Sequence, residues 1–410
     1  MTDFGIFWEW FSFAARWLHV ITAIAWIGSS FYFIALDLGL RKTPSLPPLA
    51  HGEEWQVHGG GFYHVQKYLV APEFLPEHLT WFKWESYTTW LSGFLMLAIV
   101  YYAGADLYLI DRHVLDVPNY VAILISMGSI AFGWLAYNAL CQSKLGESTT
   151  GLMVVLFVLL TAMAWAYTQV FTGRAALLHM GAFTATIMSA NVFFIIMPNQ
   201  RKVVATLKAG GVPEAKYGKI AKQRSLHNNY LALPVIFFML SNHYPLAFAT
   251  PYNWVIASLI FLMGVVIRHY FNTKHARKGH ANWTWLAAVV IFLLICWLST
   301  APKIGVASEE VASRAAEPFL NASQFAAARD TVMGRCSMCH AAEPVWEGIA
   351  QAPKGVYLDT DAAIGNRGTQ IAMQAGFSHA MPPGNMTEIT EEERALLVAW
   401  YREAMAGQTP

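Results

Sequence analysis

Charge is what this chain has least of. Lys, Arg, Asp and Glu make up 13% of its 410 residues, against about 25% in an average soluble chain. That deficit excludes an ordinary soluble protein. Basic and acidic residues nearly cancel, at 27 and 26, and no basic stripe runs along any segment, so a nucleic-acid partner is excluded as well. Cysteine is scarce, with 4 in all. Cys141 and Cys296 lie in separate apolar runs and read as small core residues rather than a disulfide. The first apolar run is not expected to be a cleavable leader: Asp3 and Glu9 precede it where a basic region would be needed, and the run is too long. The triple glycine of "HGGGFYHVQKY" is followed by no G-K-[ST], which removes a phosphate loop.

Long apolar runs are what the chain does have. A bilayer-crossing helix needs about 20 such residues, and runs near 12–38, 85–103, 119–140, 151–172, 175–197, 229–248, 252–271 and 283–301 qualify. Backbone polar groups in lipid must be paired within the segment, so the runs are expected to be α-helices. Trp81, Trp84, Trp90, Trp254, Trp283 and Trp285 flank run starts, where interfacial rings belong. The expected fold is therefore all-α, a polytopic bundle of about eight membrane helices over 1–301.

Positive charge is uneven between the connections. Arg201, Lys202, Lys208, Lys216, Lys219, Lys222 and Arg224 fall in one; Arg268, Lys274, Arg277 and Lys278 in another; Arg41, Lys42, Lys67 and Lys83 in the long segment 39–84. The alternate connections hold little beyond Arg112 and Arg174. The positive-inside bias puts the first set in the cytoplasm, and an even number of spans then puts both termini outside.

Residues 302–317 read as a polar tether to a soluble unit at 318–410. There, "GRCSMCHAAEP" carries Cys336, Cys339 and His340 in C-x-x-C-H spacing. Two thiols two residues apart can add to both vinyl groups of a haem, with the adjacent histidine aimed at the iron. A zinc site is the competing reading, but 301–410 supplies no further Cys or His cluster at zinc spacing. The sixth ligand is expected to be Met381 of "HAMPPGN", with Met373, Met386 and His379 as alternatives. "QFAAARDTVMG" and "TEEERALLVAWYREA" read as the end helices of a small class I cytochrome c-like unit, the second opening on a Thr390/Glu393 capping box. Covalent haem attachment in bacteria takes place outside the inner membrane, which agrees with the side that charge bias assigns to this terminus.

Ionisable groups inside spans are functional candidates by default. His19, His179 and His243 fall toward the outer half and are candidate ligands of a haem b between helices; hydrogen-bonded helix-end histidines are the plain alternative. Glu85, Asn138, Asn191, His227, Asn228, Asn229, Arg268 and His269 fall toward the inner half, as a polar vestibule or as inter-helix hydrogen bonding. The segment 39–84 adds His58, His64 and His78, and its density of aromatics argues for order.

Taken in order, "RWLHVITAIAWIGSSFYF", "HGGGFYHVQKY", "WFKWESYTTW", "RSLHNNYLALPVIFFMLSNHYP" and the terminal "CSMCH…AMPPGN" resemble the bacterial membrane-bound urate oxidases (urate hydroxylases), over essentially the whole chain. The resemblance implies oxidation of urate to 5-hydroxyisourate with water as oxygen source. Electrons would leave through haem c to a respiratory acceptor, a cytochrome oxidase or a soluble cytochrome. Proton transfer asks for a group near neutrality, and Glu85, His64 and His227 are the candidates. A hydrocarbon core about 30 Å thick separates an inner pocket from an outer haem, which is why a bridging haem b enters the expectation. Two other readings stay open: a quinol–cytochrome c oxidoreductase, and a membrane-anchored electron carrier with no substrate of its own.

Overall fold

The computed structural model describes residues 4–69, 72, 75–111, 114–300, 312–347, 349 and 352–406. Arg112 and most of the tether, 302–311, lie outside them. The helices α1 (Phe4–Gly39), α2 (Trp84–Leu97), α3 (Asn119–Gln142), α4 (Thr149–Thr168), α5 (Gly173–Ala190), α6 (Met197–Lys208), α7 (Ala215–Ser241), α8 (Pro245–Phe248), α9 (Asn253–His275) and α10 (Trp283–Thr300) build the first unit. A second follows with α11 (Glu317–Leu320), α12 (Phe325–Arg335), α13 (Asp361–Asn366), α14 (Gly368–Ile371) and α15 (Glu391–Ala406). Each unit has its own apolar core.

Among the described residues, six helices are long and apolar enough to cross a membrane: Gly5–Gly39, Asn119–Gln142, Thr149–Thr168, Gly173–Lys208, Asn253–His275 and Trp283–Thr300. That is compatible with a multi-pass membrane protein. Their outer faces are apolar, as on α10, where Leu286, Val289, Val290, Leu293 and Trp297 are all exposed. The other two expected spans are helical but differ from the expectation. The run at 85–103 is α-helical to Leu97 and continues as a π-helical turn, Ala98–Tyr102. The run at 229–248 does not form one helix: α7 starts at Ala215, ends at Ser241, and α8 follows separately. Tyr244 is extended (φ −127°, ψ 91°) because it precedes Pro245, whose ring disfavours helical backbone before it.

The all-α expectation also fails at one place. Segment 39–84 contains an antiparallel hairpin, β1 (Ala50–His58) and β2 (Gly61–Tyr68), in register His58 with Gly61 and Trp55 with His64. The glycine run is its turn. Gly59 and Gly60 take φ of 59° and 79°, the paired positive values that a type I′ turn demands and that only residues like glycine adopt cheaply. The hairpin is fastened to α1 by an ion pair from Lys67 to Asp37, and to the residues just after it by paired backbone bonds between Arg41 and Glu53.

Close approach of α7 and α9 sets the inner architecture. Pro234, inside α7, lies against Gly264 of α9; a Cβ at Gly264 would come 2.5 Å from the Pro234 Cδ. Overpacking a tight seam costs about 1–3 kcal/mol. Gly264→Ala is therefore expected to lower thermal stability by about that much, read as a lower midpoint of detergent-solubilised protein. The same approach brings Asn229 of α7 to Arg268 of α9, one turn along.

The second unit packs Phe319, Val332, Ile364, Leu397 and Trp400 together, with the Trp400 indole N–H on the Phe319 carbonyl at 2.9 Å. The capping box at α15 forms as expected: the Glu393 amide donates to Thr390 Oγ1 (3.2 Å) and the Thr390 amide to Glu393 Oε2 (2.7 Å). Ile6 of α1 packs on this core, and Phe248 of α8 lies beside Gly355. The C-terminal unit thus rests on the end of the bundle that carries the start of α1.

Candidate functional site

The turn His227-Asn228-Asn229 on α7 sends three polar side chains into three seams, because successive helical residues point about 100° apart. His227 Nδ1 accepts from the Tyr137 hydroxyl of α3 at 2.7 Å. Asn228 Nδ2 donates to the Met188 carbonyl of α5, and its Oδ1 accepts from Asn191. Asn229 Oδ1 accepts from both Arg268 Nε (3.2 Å) and Asn272 Nδ2 (3.1 Å).

Two arginines counted among the connection charges turn out to lie inside the bundle. Arg224 is 2% exposed and Arg268 5%. Each sits a helical turn or more inside α7 or α9, so neither belongs in the loop charge that orients the chain. Arg224 donates to Asn138 (2.9 Å) and Asn191 (3.3 Å) and stacks on the Tyr137 ring. Asn191 reaches it from a π-helical turn, Asn191–Ile196, which re-aims the side chain relative to a regular α5. Arg268 donates its second terminal nitrogen to Asn272 (3.1 Å) and stacks on Phe31 of α1, 4.1 Å from the ring centre. Neither guanidinium has a carboxylate within ion-pair distance among the described residues.

The hairpin supplies a histidine–carboxylate pair. His64 Nε2 donates to Glu53 Oε2 at 2.7 Å, and its ring stacks flat on Trp55, 4.2 Å away. Glu53 is buried and accepts a second bond from the Thr43 hydroxyl. The Thr43 bond first, then His64, holds the Glu53 pKa below its ordinary value of 4.5. A depressed carboxylate pKa stabilises the fold above the unfolded value and ceases to as pH falls through the folded one. Amide protection of residues 50–68 in hydrogen exchange is therefore expected to hold from neutral pH down to 4.5 and to fall below it. Glu53→Gln should flatten that dependence.

The three acid/base candidates stand apart: His64 in the hairpin, His227 on α7, and Glu85 in the first turn of α2, where a carboxylate suits the helix dipole. Among the described residues no hydrogen bond or ring contact joins any two. The three candidate haem b histidines are likewise separate. His19 is buried, donates Nδ1–H to the Thr89 carbonyl (3.1 Å) and faces the Met239 sulfur with Nε2 (3.1 Å). His179 is fully buried with both nitrogens engaged, Nδ1 on the Ala175 carbonyl and Nε2 on the Ser126 hydroxyl, each at 2.7 Å. His243 lies past the end of α7 and is exposed.

In the C-terminal unit Cys336 ends α12, its amide on the Val332 carbonyl. The Cys339 and His340 amides both donate to the Cys336 carbonyl, which keeps the three residues on one tight turn. His340 Nδ1 donates to the Val356 carbonyl at 2.9 Å, which fixes the tautomer and leaves Nε2 as the free ligating nitrogen. Burial pulls the His340 pKa below its ordinary value, favouring the neutral ring. Arg394, itself buried, clamps the Met381 segment through the Ala375 and Met381 carbonyls, at 2.6 and 3.0 Å. Of the alternatives to Met381, Met373 is in the core, Met386 is exposed, and His379 is exposed near Glu391.

The family model described as urate oxidase N-terminal matches residues 5–299. The chain belongs to that family. No curated protein and no solved structure matches it. The matched urate oxidase N-terminal region takes in the hairpin, both buried arginines and all three acid/base candidates, and stops short of the C-x-x-C-H unit. Thr43, Glu53, Tyr137 and Asn272 escaped sequence reasoning. For Glu53 a signal existed: alternation in "AHGEEWQVH" and "GFYHVQKY" about a Gly-Gly turn would have set Glu53 and His64 on neighbouring strands.

Proposed function

We propose that this protein is a membrane-embedded urate oxidase, oxidising urate with water and passing the electrons out through a covalently held haem c. The balance is urate plus water giving 5-hydroxyisourate, two protons and two electrons. The observation that carries the proposal is one chain joining the urate oxidase family match over 5–299 to a C-x-x-C-H whose histidine is oriented for ligation.

The residues present suit that group. Cys336 and Cys339 would hold the porphyrin through thioethers, His340 and Met381 the iron from its two faces. When bound, haem c supplies a one-electron iron couple whose potential His/Met ligation raises. On this reading the chain sits in a bacterial inner membrane with about eight spans and both termini periplasmic, and its acceptor is a cytochrome oxidase or a soluble cytochrome. A haem b on His19 is part of the proposal, because that ring offers Nε2 toward nothing but a thioether. As opposing ligand, His179 would have to release the Ser126 hydroxyl, and His243 would have to turn in from the surface. His64, oriented by Glu53, is the proton acceptor we favour over His227 and Glu85.

A quinol–cytochrome c oxidoreductase is the second reading, favoured by one feature. A cleft of about 270 Å³ between α4, α7 and α9 is apolar along Met153, Leu156, Phe157 and Phe261, with Thr150, His227 and Tyr230 as its polar members. Isolated membranes decide between the two. Urate, and not quinol, should reduce the haem c band, and a pyridine haemochrome spectrum counts c- and b-type haem. Reduction by quinol alone would replace the urate reading.

A further inference from the structure

The two buried arginines differ in what surrounds them. Around Arg224 the amides satisfy one another: Asn191 donates to Tyr137 and Asn228, Asn228 donates to Met188, and the guanidinium takes the remaining oxygens. The amides of that network are closed among themselves, with only the Arg224 Nε left unpartnered, and it reads as a clasp between α3, α5 and α7. Around Arg268 it is open. Asn229 is fully buried, its oxygen shared by Arg268 and Asn272, yet its Nδ2 has no partner. Farther along α9, His275 Nδ1 is also buried without a hydrogen-bond partner, and so is Glu54 Oε2 on β1, which lies against Gly39 at the end of α1. A buried donor left unmade is costly and calls for an explanation.

The vacancies have a pattern. Asn229 Nδ2 offers a donor beside an uncompensated cation, while Glu54 Oε2 offers an acceptor. A simple inorganic anion would satisfy the first two and leave the carboxylate bare. A flat ring bearing carbonyl or oxyanion edges and N–H edges would satisfy all three. Phe31, over whose ring the guanidinium sits, supplies an apolar wall.

We propose that Arg268, Asn229 and Asn272, walled by Phe31 and bordered by Glu54 and His275, bind a planar oxo-heterocyclic anion; on the urate reading above, that anion is urate itself. Phe31, Asn229, Arg268 and Asn272 come together where α1, α7 and α9 pack on one another.

Asn229→Asp is the sharpest test. The new carboxylate keeps the shape, still accepts from Arg268 and Asn272, and gives Arg268 a counter-ion, so a purely structural cluster would tolerate it. A pocket for an anion would not. In membranes holding the full-length protein, binding of radiolabelled urate and urate-driven reduction of haem c are measured against the dithionite-reducible band. Asn229→Asp and Arg268→Gln should each raise the half-saturating urate concentration about 10- to 100-fold, the loss of one hydrogen bond to a charged partner, with the dithionite-reducible band unchanged. Binding and half-saturation within twofold of wild type in both variants would overturn the pocket. So would failure of both to accumulate haem-loaded protein, since the cluster would then be a structural seam. The redox reading fails separately: wild-type protein that binds urate, loses binding in Asn229→Asp and shows no urate-driven reduction keeps the pocket and discards the oxidase.

Discussion

Replacing Cys336 and Cys339 together by alanine is expected to leave a folded chain with no covalent haem and no urate-driven electron transfer. The side chains are half-buried and make no hydrogen bond that the fold relies on. The turn is held by backbone bonds among Val332, Cys336, Cys339 and His340, which alanine preserves. Haem staining after denaturing electrophoresis reads the covalent link directly, and it should vanish. Met381→Ala should behave differently. The thioether links survive, so the stain persists, but the His/Met pair that raises the potential is gone. A redox titration should then show a midpoint below that of the parent. A double-alanine protein that still delivers urate electrons to an added acceptor at the parental rate would mean that they leave by another path.

The helical bundle was legible because burial in lipid demands long apolar runs, and runs are a one-dimensional signal. In the C-terminal unit the turn and the cap were legible because they are local: Cys336, Cys339 and His340 lie within five residues, and the capping box within four. The polar interior was legible only as a set of residue types. Asn191, Asn228, Asn229 and Arg268 stand out as polar residues within apolar runs and Arg224 as a connection charge, but their sorting into two networks depends on which seam each helix face meets. That depends in turn on Gly264 admitting Pro234 and on the π-helical turn at Asn191. No periodicity carries such facts. The hairpin was hidden for another reason: two strands of 9 and 8 residues between long helices were read through their aromatic density, and the alternation that marks a strand was passed over.

The hairpin is also where the largest kinetic effect is expected. His64→Gln should lower urate turnover roughly 100-fold or more, the range for losing a positioned general base, while radiolabelled urate binding stays within threefold. The geometry behind this is a histidine whose Nε2–H is spent on a buried carboxylate, which leaves Nδ1 to take a proton. Glu53 is held in turn by Thr43, and the Trp55 face fixes the plane of the ring. Glu53→Gln keeps a hydrogen-bond acceptor but removes the charge that stabilises the imidazolium. It should therefore cost less than His64→Gln. A merely structural hairpin would not lower turnover at constant binding. His227 and Glu85 serve as comparisons. One is tied to Tyr137, the other sits at a helix start, and neither has a carboxylate partner. Gln at either position should leave turnover within about threefold of wild type, well short of the effect of losing a general base. Should His227→Gln carry the 100-fold loss instead, the proton acceptor belongs to the α4–α7–α9 cleft, and the hairpin is left as a lid on the bundle rather than part of its chemistry.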